Sequence, residues 1–164
     1  MIQGKTEEML PTATLNEARA AVREAWIKGI NCPCCGQNVK LQQRVIYGRM
    51  ARDLIRLYRK PNSNVEFYHR EDFEAPKAGG GDFHKLQYWG LAEPMPNNDD
   101  KTKRTNGFWR ITQQGIAFVE NRMSVPKYAY VYNGKARKLE GDDWSIREAL
   151  GKKFSYEDLM GNAQ

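Results

Sequence analysis

All three cysteines of this chain fall within four positions of the stretch CPCCG: Cys32, Cys34 and Cys35. Cysteines this close together cannot cross-link distant parts of a chain, so no disulfide framework is available to the fold. The stability must come from buried apolar side chains, and 164 residues are enough for a substantial core. The clustered, odd-numbered cysteines favour a reducing compartment, and the polar start MIQGKTEEML lacks the pattern of a secretory signal. Both features predict a cytoplasmic protein.

The spacing of Cys32 and Cys35 fits the C-P-x-C-G knuckle of zinc ribbons, in which two thiolates at i and i+3 converge on one ion. A closed zinc site needs four ligands, and the chain has no second C-x-x-C motif. Cys34 would have to join a distorted site, with His69 or His84 as the fourth ligand. Zinc shared across a dimer and a knuckle without metal are the alternatives. We favour an incomplete zinc knuckle that links an N-terminal helix to the next domain.

A redox function is the rival hypothesis for the cysteines, because C-P-x-C also occurs in glutaredoxins. Those enzymes place the first cysteine at a helix N-terminus after a buried strand. Here a predicted helix precedes the cysteines and Gly36-Gln37-Asn38 follows them, so the pattern favours the knuckle. The sequence has no P-loop and no nucleophile elbow, and the acidic cluster at residues 71–74 lacks a partner motif. We therefore predict that the protein is not an enzyme.

The net charge of +6 is concentrated in two blocks of the sequence. Residues 40–60 carry +6 and residues 101–139 carry +8, whereas residues 61–100 and the tail from residue 140 carry −5 and −3. The two basic blocks would form one docking surface for a polyanion if the fold brings them together. The alternative is two separate solvated faces. No apolar run is long enough to cross a bilayer, so we expect no membrane partner.

Two amphipathic helices are predicted in the first sixty residues. Thr14 and Glu17 form a capping box for a helix that runs to about Lys28 and ends at Gly29. The second is predicted over residues 45–59. Its apolar residues share one face: Ile46, Met50, Leu54 and Leu57. Arginines at spacings of three, four and three form another stripe: Arg49, Arg52, Arg56 and Arg59. This stripe is either a rail for phosphates or an ordinary exposed face.

The segment from residue 64 to residue 122 alternates short strands with short helices. Residues 64–68 alternate like a strand, residues 69–76 predict a short helix, and Asp82 is expected to cap a helix that ends at Gly90. Extended segments at 91–94 and 107–111 flank a polar loop, and Thr112 is expected to cap a further helix. In the 83–89 helix the inward residues are predicted to be Phe83, Leu86 and Trp89. The outward ones are His84, Lys85, Gln87 and Tyr88.

The segments HKLQYWGLAEP and KTKRTNGFWRITQQG resemble the winged-helix DNA-binding superfamily, most closely its MarR/PadR-like arrangement. In that family a helix ends at a leucine-glycine-leucine type corner before a hairpin wing, and a strand ending in Leu-Thr-x-x-Gly leads into the next helix. Residues 89–91 and 111–115 stand at these positions here. The resemblance covers about half the chain. It implies a winged helix-turn-helix core with a recognition helix at 82–89 and a basic wing at 97–107.

The resemblance implies a double-stranded DNA-binding protein, a regulatory factor of transcription. We expect base contacts from His84, Lys85, Gln87 and Tyr88. We expect phosphate contacts from Lys101, Lys103 and Arg104 of the wing and from Arg49, Arg52 and Arg56. A module that binds a host protein is the alternative function, and the chain could form a homodimer. NCPCCGQNVKLQQR, together with the winged-helix segments, is also similar to small proteins of bacteriophages and prophages, which implies a bacterial host cell.

The C-terminal part is predicted to add a hairpin and short helices. Asn133-Gly134 is a strong signal for a type I′ turn, and the tyrosines at 128, 130 and 132 alternate along one strand face. That face could stack the bases of single-stranded nucleic acid, but we favour packing against the C-terminal helices. The predicted fold is α+β, with the N-terminal helix and knuckle at 1–42, the winged helix at 43–122 and the C-terminal extension at 123–164.

Overall fold

The computed structural model describes residues 12–75, 82–97, 102 and 105–161. The protein is α+β, as predicted, with three small sheets in this part of the chain. None of the helices in these ranges combines the length and the apolar character needed to cross a membrane. The elements in chain order are α1 (Leu15–Ala25), β1 (Ile30–Asn31), β2 (Asn38–Val39), β3 (Gln42–Val45), α2 (Gly48–Tyr58), β4 (Tyr68–His69), a 3-10 helix (Arg70–Asp72), a second 3-10 helix (Phe83–Trp89), β5 (Ala92–Pro94), β6 (Phe108–Ile111), α3 (Gln113–Val119), β7 (Val125–Tyr132), β8 (Lys135–Trp144), α4 (Ile146–Leu150) and α5 (Tyr156–Gly161).

The described residues form two compact units. The first unit holds the chain up to Arg44 together with Tyr130–Lys138, and the second holds Val45–Ala129 and the chain from Leu139 onward. Both the predicted 43–122 domain and the 123–164 extension therefore contribute to the second unit. One sheet has the strand order β3-β7-β8. A boundary between the units falls within each of these three strands.

The hairpin of β7 and β8 turns at Asn133 and Gly134, whose positive φ values of 51° and 70° are those of a type I′ turn. The turn predicted from the sequence is confirmed. Strand β8 lies at the edge of its sheet, and residues 135–143 are all exposed. This strand therefore presents an unusually open surface for its length.

Helix α1 begins with the predicted capping box. The Thr14 N–H donates to Glu17 Oε2 at 2.7 Å, and the Glu17 N–H donates to Thr14 Oγ1 at 3.2 Å. The helix ends at Ala25, three residues before the predicted end, and Gly29 follows with a φ of 104°. The Gly29 N–H donates to the Ala25 carbonyl at 2.9 Å, so glycine closes this end as expected.

Helix α2 is the centre of the second unit. Its predicted start at Val45 is wrong, because residues 42–45 form β3 and Tyr47 is still extended, with φ −113° and ψ 176°. The predicted inward residues of the helix are confirmed as buried, at most 1% exposed: Met50, Leu54 and Leu57; Ile46 is buried too but precedes the helix. Helices α3, α4 and α5, strand β6 and the Phe83–Trp89 helix pack against α2.

A second sheet of this unit has the order β4-β6-β5 with antiparallel neighbours. Tyr68 pairs with Trp109, and Ala92 pairs with Ile111. Helix α3 starts where the sequence predicts, because Thr112 Oγ1 accepts the Gly115 N–H at 3.0 Å. The hairpin of β5 and β6 and the helix that follows it are thus local features that the sequence predicted.

Three local predictions before this hairpin need correction. The strand predicted over 64–68 shrinks to Tyr68–His69, because the N–H groups of Val65 and Glu66 bond the Asn62 carbonyl in a turn at 2.9 and 2.7 Å. The helix predicted over 69–76 is a single 3-10 turn in the described residues, Arg70–Asp72. Asp82 does not cap the next helix. Its carboxylate instead accepts hydrogen bonds from Tyr47 and Lys85.

Candidate nucleic-acid interface

The Phe83–Trp89 helix is fixed to the second unit by its inward face. Phe83 lies with its ring centroid 4.7 Å from that of Phe73 and 5.6 Å from that of Trp109. Trp89 Nε1 donates to the Pro126 carbonyl at 2.8 Å, and Leu86 is fully buried. The predicted inward residues are therefore confirmed. Such an anchored face holds the outward side chains in fixed directions.

The outward face of this helix carries the four predicted base-contacting residues, and they differ in exposure. His84 and Gln87 are exposed, whereas Lys85 and Tyr88 are half-buried. Gln87 Nε2 donates to the His84 carbonyl at 2.8 Å. The Gln87 side chain is exposed, so its amide oxygen lies on a solvent-accessible group. His84 and Gln87 are therefore the members of the set that solvent, or a ligand, can reach most easily.

Asp82 explains why Lys85 is less available than predicted. Lys85 Nζ lies 2.5 Å from Asp82 Oδ1, and the Tyr47 hydroxyl donates to Asp82 Oδ2. The backbone of Asp82 is already helical, with φ −90° and ψ −11°, so its side chain does not sit at a cap position. The carboxylate therefore partly neutralises the ammonium group that was expected to meet DNA.

The tip of the predicted wing lies outside the described residues: Lys101, Lys103 and Arg104. Its base on the β6 side is well defined. The Phe108 N–H donates to Asn106 Oδ1 at 3.1 Å, and the Gly107 carbonyl accepts the Arg70 N–H at 2.9 Å. Gly107 has a φ of 86°, and a Cβ there would lie 2.8 Å from His69 Nε2. These contacts fix the direction in which the loop leaves the sheet.

The four arginines of the α2 stripe differ in exposure and in their contacts. Arg49 and Arg56 are exposed. Arg52 is 15% exposed; its Nη2 lies 2.9 Å from Asp53 Oδ1, and its guanidinium lies 5.1 Å from the ring centroid of Phe154. Burial raises the pKa of Asp53, and the neighbouring Arg52 opposes that rise. Arg52 is therefore held by packing within the second unit.

Arg59, the last arginine of the stripe, is also engaged within the second unit. Its Nη1 donates to the Leu159 carbonyl of α5 at 3.1 Å. This bond satisfies a helix carbonyl and ties α5 to the end of α2. Arg52 and Arg59 therefore contribute to the fold of the second unit, although Arg59, like Arg49 and Arg56, is exposed to solvent.

The cysteines lie in and beside the turn of a short hairpin of the first unit. Strands β1 and β2 pair antiparallel, the Cys32 N–H donates to the Gln37 carbonyl at 2.7 Å, and the Gly36 N–H donates to the Cys32 carbonyl at 2.8 Å. Hydrogen bonds from the backbone of Cys35, and then of Cys34, lower the pKa of the Cys32 thiol. Backbone amides turned toward a sulfur are the arrangement expected of a zinc knuckle.

The three thiols do not form a metal site by themselves. Cys32 is half-buried, Cys34 and Cys35 are exposed, and all three are free. No group of three or more His, Cys, Asp or Glu side chains in the described ranges is arranged to hold a metal. His69, one predicted fourth ligand, stacks edge-on against Phe108 with 5.1 Å between centroids. Zinc binding at Cys32, Cys35 and Cys34 stays a prediction that needs further ligands.

The redox hypothesis finds little support in the hairpin. The segment before Cys32 is the two-residue strand β1 and the segment after Cys35 is a turn followed by β2. A thiol oxidoreductase would place a helix N-terminus at the first cysteine to stabilise its thiolate. Here two backbone N–H groups of the knuckle lower the pKa of Cys32 instead.

The sequence analysis considered the tyrosines of β7 as a stacking face, but it missed Trp26 and Arg137, which lie with Tyr132 on a basic and aromatic surface of the first unit. Trp26 and Tyr132 lie 5.9 Å apart between ring centroids, and the Arg137 guanidinium lies 5.8 Å from the Trp26 ring. A signal was present, because the tyrosines alternate along β7 and Lys135, Arg137 and Lys138 follow the Asn-Gly turn. What the sequence does not reveal is that Trp26, the residue after α1, lies beside this hairpin.

No protein-family model, curated protein or solved structure matches the chain.

Proposed function

We propose that the protein binds double-stranded DNA through a winged helix in residues 43–122, as a regulatory factor in a bacterial or phage setting. One observation carries this proposal. The Phe83–Trp89 helix is held in the core by Phe83, Leu86 and Trp89 and offers His84 and Gln87 to the outside. A recognition helix needs this division between an anchored face and a polar face that reaches base edges.

The arrangement around this helix supports the same proposal. Helix α2, strand β4, the Phe83–Trp89 helix and the β5–β6 hairpin follow one another in the order of a winged helix. The Thr112 hydroxyl donates to the Gly90 carbonyl at 2.5 Å and so joins the end of the hairpin to the end of the helix. The end of β6 therefore keeps a constant position relative to the helix. DNA contacts by both elements require that constancy.

The charge of the second unit limits how much phosphate contacts can contribute to DNA binding. The described residues of the second unit carry thirteen basic and fourteen acidic side chains. The phosphate contacts of the proposal therefore come from Arg49, Arg56 and the wing residues Lys101, Lys103 and Arg104. Because the described residues of this unit are close to neutral, base contacts carry a larger share of the affinity than in a strongly cationic protein.

The proposal is tested by two matched glutamine variants of the full chain. Gln87→Ala removes an exposed amide from the proposed recognition helix, and Gln113→Ala removes an exposed amide from α3 in the same unit. We expect Gln87→Ala to relax the sequence preference of duplex binding by about 5- to 150-fold at one base position, as the loss of one good base contact would. Gln113→Ala should leave it unchanged. Equal effects of the two variants would refute the proposed docking.

A protein-binding function is the alternative, and the open edge of β8 favours it. Nine consecutive residues of this edge strand are exposed, and an exposed edge can accept a further strand from a partner. This alternative predicts a stoichiometric complex with a host protein that survives nuclease treatment and the Gln87→Ala substitution. The absence of DNA binding at physiological salt would favour it over the winged-helix proposal.

A further inference from the structure

The positive charge of the described chain belongs to the first unit. Its described residues hold two acidic side chains, Glu17 and Glu24, and eight basic ones. The basic residues are Arg19, Arg23, Lys28, Lys40, Arg44, Lys135, Arg137 and Lys138. Seven of the eight are exposed and Arg44 is half-buried. A net +6 on so small a unit makes it the part of the molecule that attracts a polyanion most strongly.

Aromatic rings lie among these cations. Tyr132 is 40% exposed, its ring centroid is 5.9 Å from that of Trp26, and the two planes are tilted by 42°. The Arg137 guanidinium lies 5.8 Å from the Trp26 centroid, within the range of a cation–π contact. A half-open aromatic pair with a guanidinium beside it offers a ring face for a base and a cation for the adjoining phosphate.

A groove continues this surface along the same strand. It has a volume of about 610 Å³, and its lining includes Ile27, Lys40, Leu41, Gln43 and Tyr130. Tyr130 and Tyr132 are two residues apart on β7 and therefore point to the same face. Trp26 of the aromatic pair and Ile27 of the groove are also adjacent in the sequence. Together they define one continuous strip.

The groups that line the groove are suited to an unpaired base. Gln43 Nε2 donates to the Tyr130 hydroxyl at 3.2 Å, which holds the tyrosine ring in a fixed direction. Asn38, Gln42 and Gln43 bring side-chain amides to the lining, and each amide has both donors and an acceptor. Lys40 adds a cation to the same lining. The apolar side chains of the lining would accept the face of a base, and the amides would accept its edge.

We propose that this strip of the first unit binds a single-stranded nucleic acid, with bases against Tyr130, Tyr132 and Trp26 and phosphates against Lys40 and Arg137. Aromatic side chains can stack on bases that are unpaired, whereas the bases of a duplex are already stacked on each other. The inference does not rest on duplex binding by the Phe83–Trp89 helix, because every residue it uses belongs to the first unit.

The test measures the fluorescence anisotropy of labelled oligo(dT) and oligo(U), each twelve nucleotides long, as the full chain is added. Tyr132→Leu removes the stacking surface, and Tyr132→Phe keeps the ring and removes the hydroxyl. We expect Tyr132→Leu to weaken binding by about 5- to 150-fold, the range expected for loss of one stacked base, and Tyr132→Phe to retain it. The two oligomers distinguish DNA from RNA as the preferred strand. Equal binding by Tyr132→Leu and Tyr132→Phe would overturn the proposal.

A charge-matched pair separates a specific strip from general attraction. Arg137→Gln and Lys152→Gln each remove one exposed cation, the first from the strip and the second from the second unit. Arg137→Gln should lower the slope of log K against log salt by about 0.7, the value for one phosphate contact on a single strand, while Lys152→Gln leaves it unchanged. Equal changes in the two variants would refute the strip.

The outcome is independent of the proposed duplex function. Gln87→Ala should leave oligo(dT) binding unaltered, and Tyr132→Leu should leave the sequence preference for duplex DNA unaltered. Loss of single-strand binding in Gln87→Ala would contradict the assignment to the first unit. If the chain binds duplex DNA but neither oligomer, the strip proposal fails alone, and the reverse result refutes the duplex proposal alone.

Discussion

Substitution of Gly115 by alanine should destabilise the protein, although helix propensity predicts the opposite. Gly115 lies in α3, where alanine is favoured over glycine by about 1 kcal/mol. A Cβ at this position would overlap the Leu91 carbonyl oxygen and lie 2.6 Å from Ile111 Cγ1, whereas carbon atoms normally pack at about 3.5–4.0 Å. The Leu91 oxygen cannot easily move, because it accepts the Thr112 N–H at 3.1 Å.

The expected size of this effect follows from the two opposing contributions. Overpacking against fixed backbone costs about 3 kcal/mol, and the gain in helix propensity offsets about 1 kcal/mol. The net loss of about 2 kcal/mol corresponds to a fall in Tm of about 4–8 °C for a chain of this size. Thermal unfolding followed by circular dichroism measures it. Gly161→Ala is the matched control, since its Cβ would meet nothing within 4 Å and should not lower Tm. A Gly115→Ala variant at least as stable as the wild type would refute the close approach of α3 to Leu91.

Three further predictions concern the core, the thiols and a buried carboxyl group. Leu54→Ala removes a fully buried side chain of α2 and should lower the free energy of unfolding by about 2–5 kcal/mol in a denaturant titration; a loss below about 1 kcal/mol would contradict its burial. Cys32 should be alkylated by iodoacetamide at lower pH than Cys34 in peptide mapping, because backbone hydrogen bonds lower its pKa; the reverse order would contradict the knuckle geometry. Burial raises the pKa of Glu74, so the folded state binds this proton more tightly than the unfolded chain does, and its contribution to stability is greatest in acid and falls as the pH rises through the folded pKa. The stability of Glu74→Gln relative to wild type should therefore increase from pH 4 to pH 7, and a decrease over that range would contradict the desolvation of Glu74.

The features that the sequence predicted well are those decided within a few residues. The capping box of Thr14 and Glu17 and the turn at Asn133 and Gly134 depend on neighbours along the chain. The inward face of α2 follows from helical spacing alone. Such signals are complete within one turn or one helix, so the fold class and most elements could be predicted.

The features that escaped prediction depend on residues far apart in the sequence. Asp82 was expected to cap a helix, but it is bonded by Tyr47, which lies 35 positions away. The charge pattern predicted two basic blocks, and the fold divides them differently. Lys40 joins the first unit with Lys135–Lys138, while the α2 arginines belong to the second unit. Which charges share a surface is decided by tertiary contacts that no local pattern encodes.

The most direct test of the central claim is selection of duplex DNA from a random pool by the full chain, at two salt concentrations, with sequencing of the retained molecules. The proposed winged helix predicts an enriched motif that persists at the higher salt concentration and relaxes in Gln87→Ala. Retention that depends on salt without any enriched motif, or no retention at physiological salt, would contradict the claim that the Phe83–Trp89 helix reads duplex DNA.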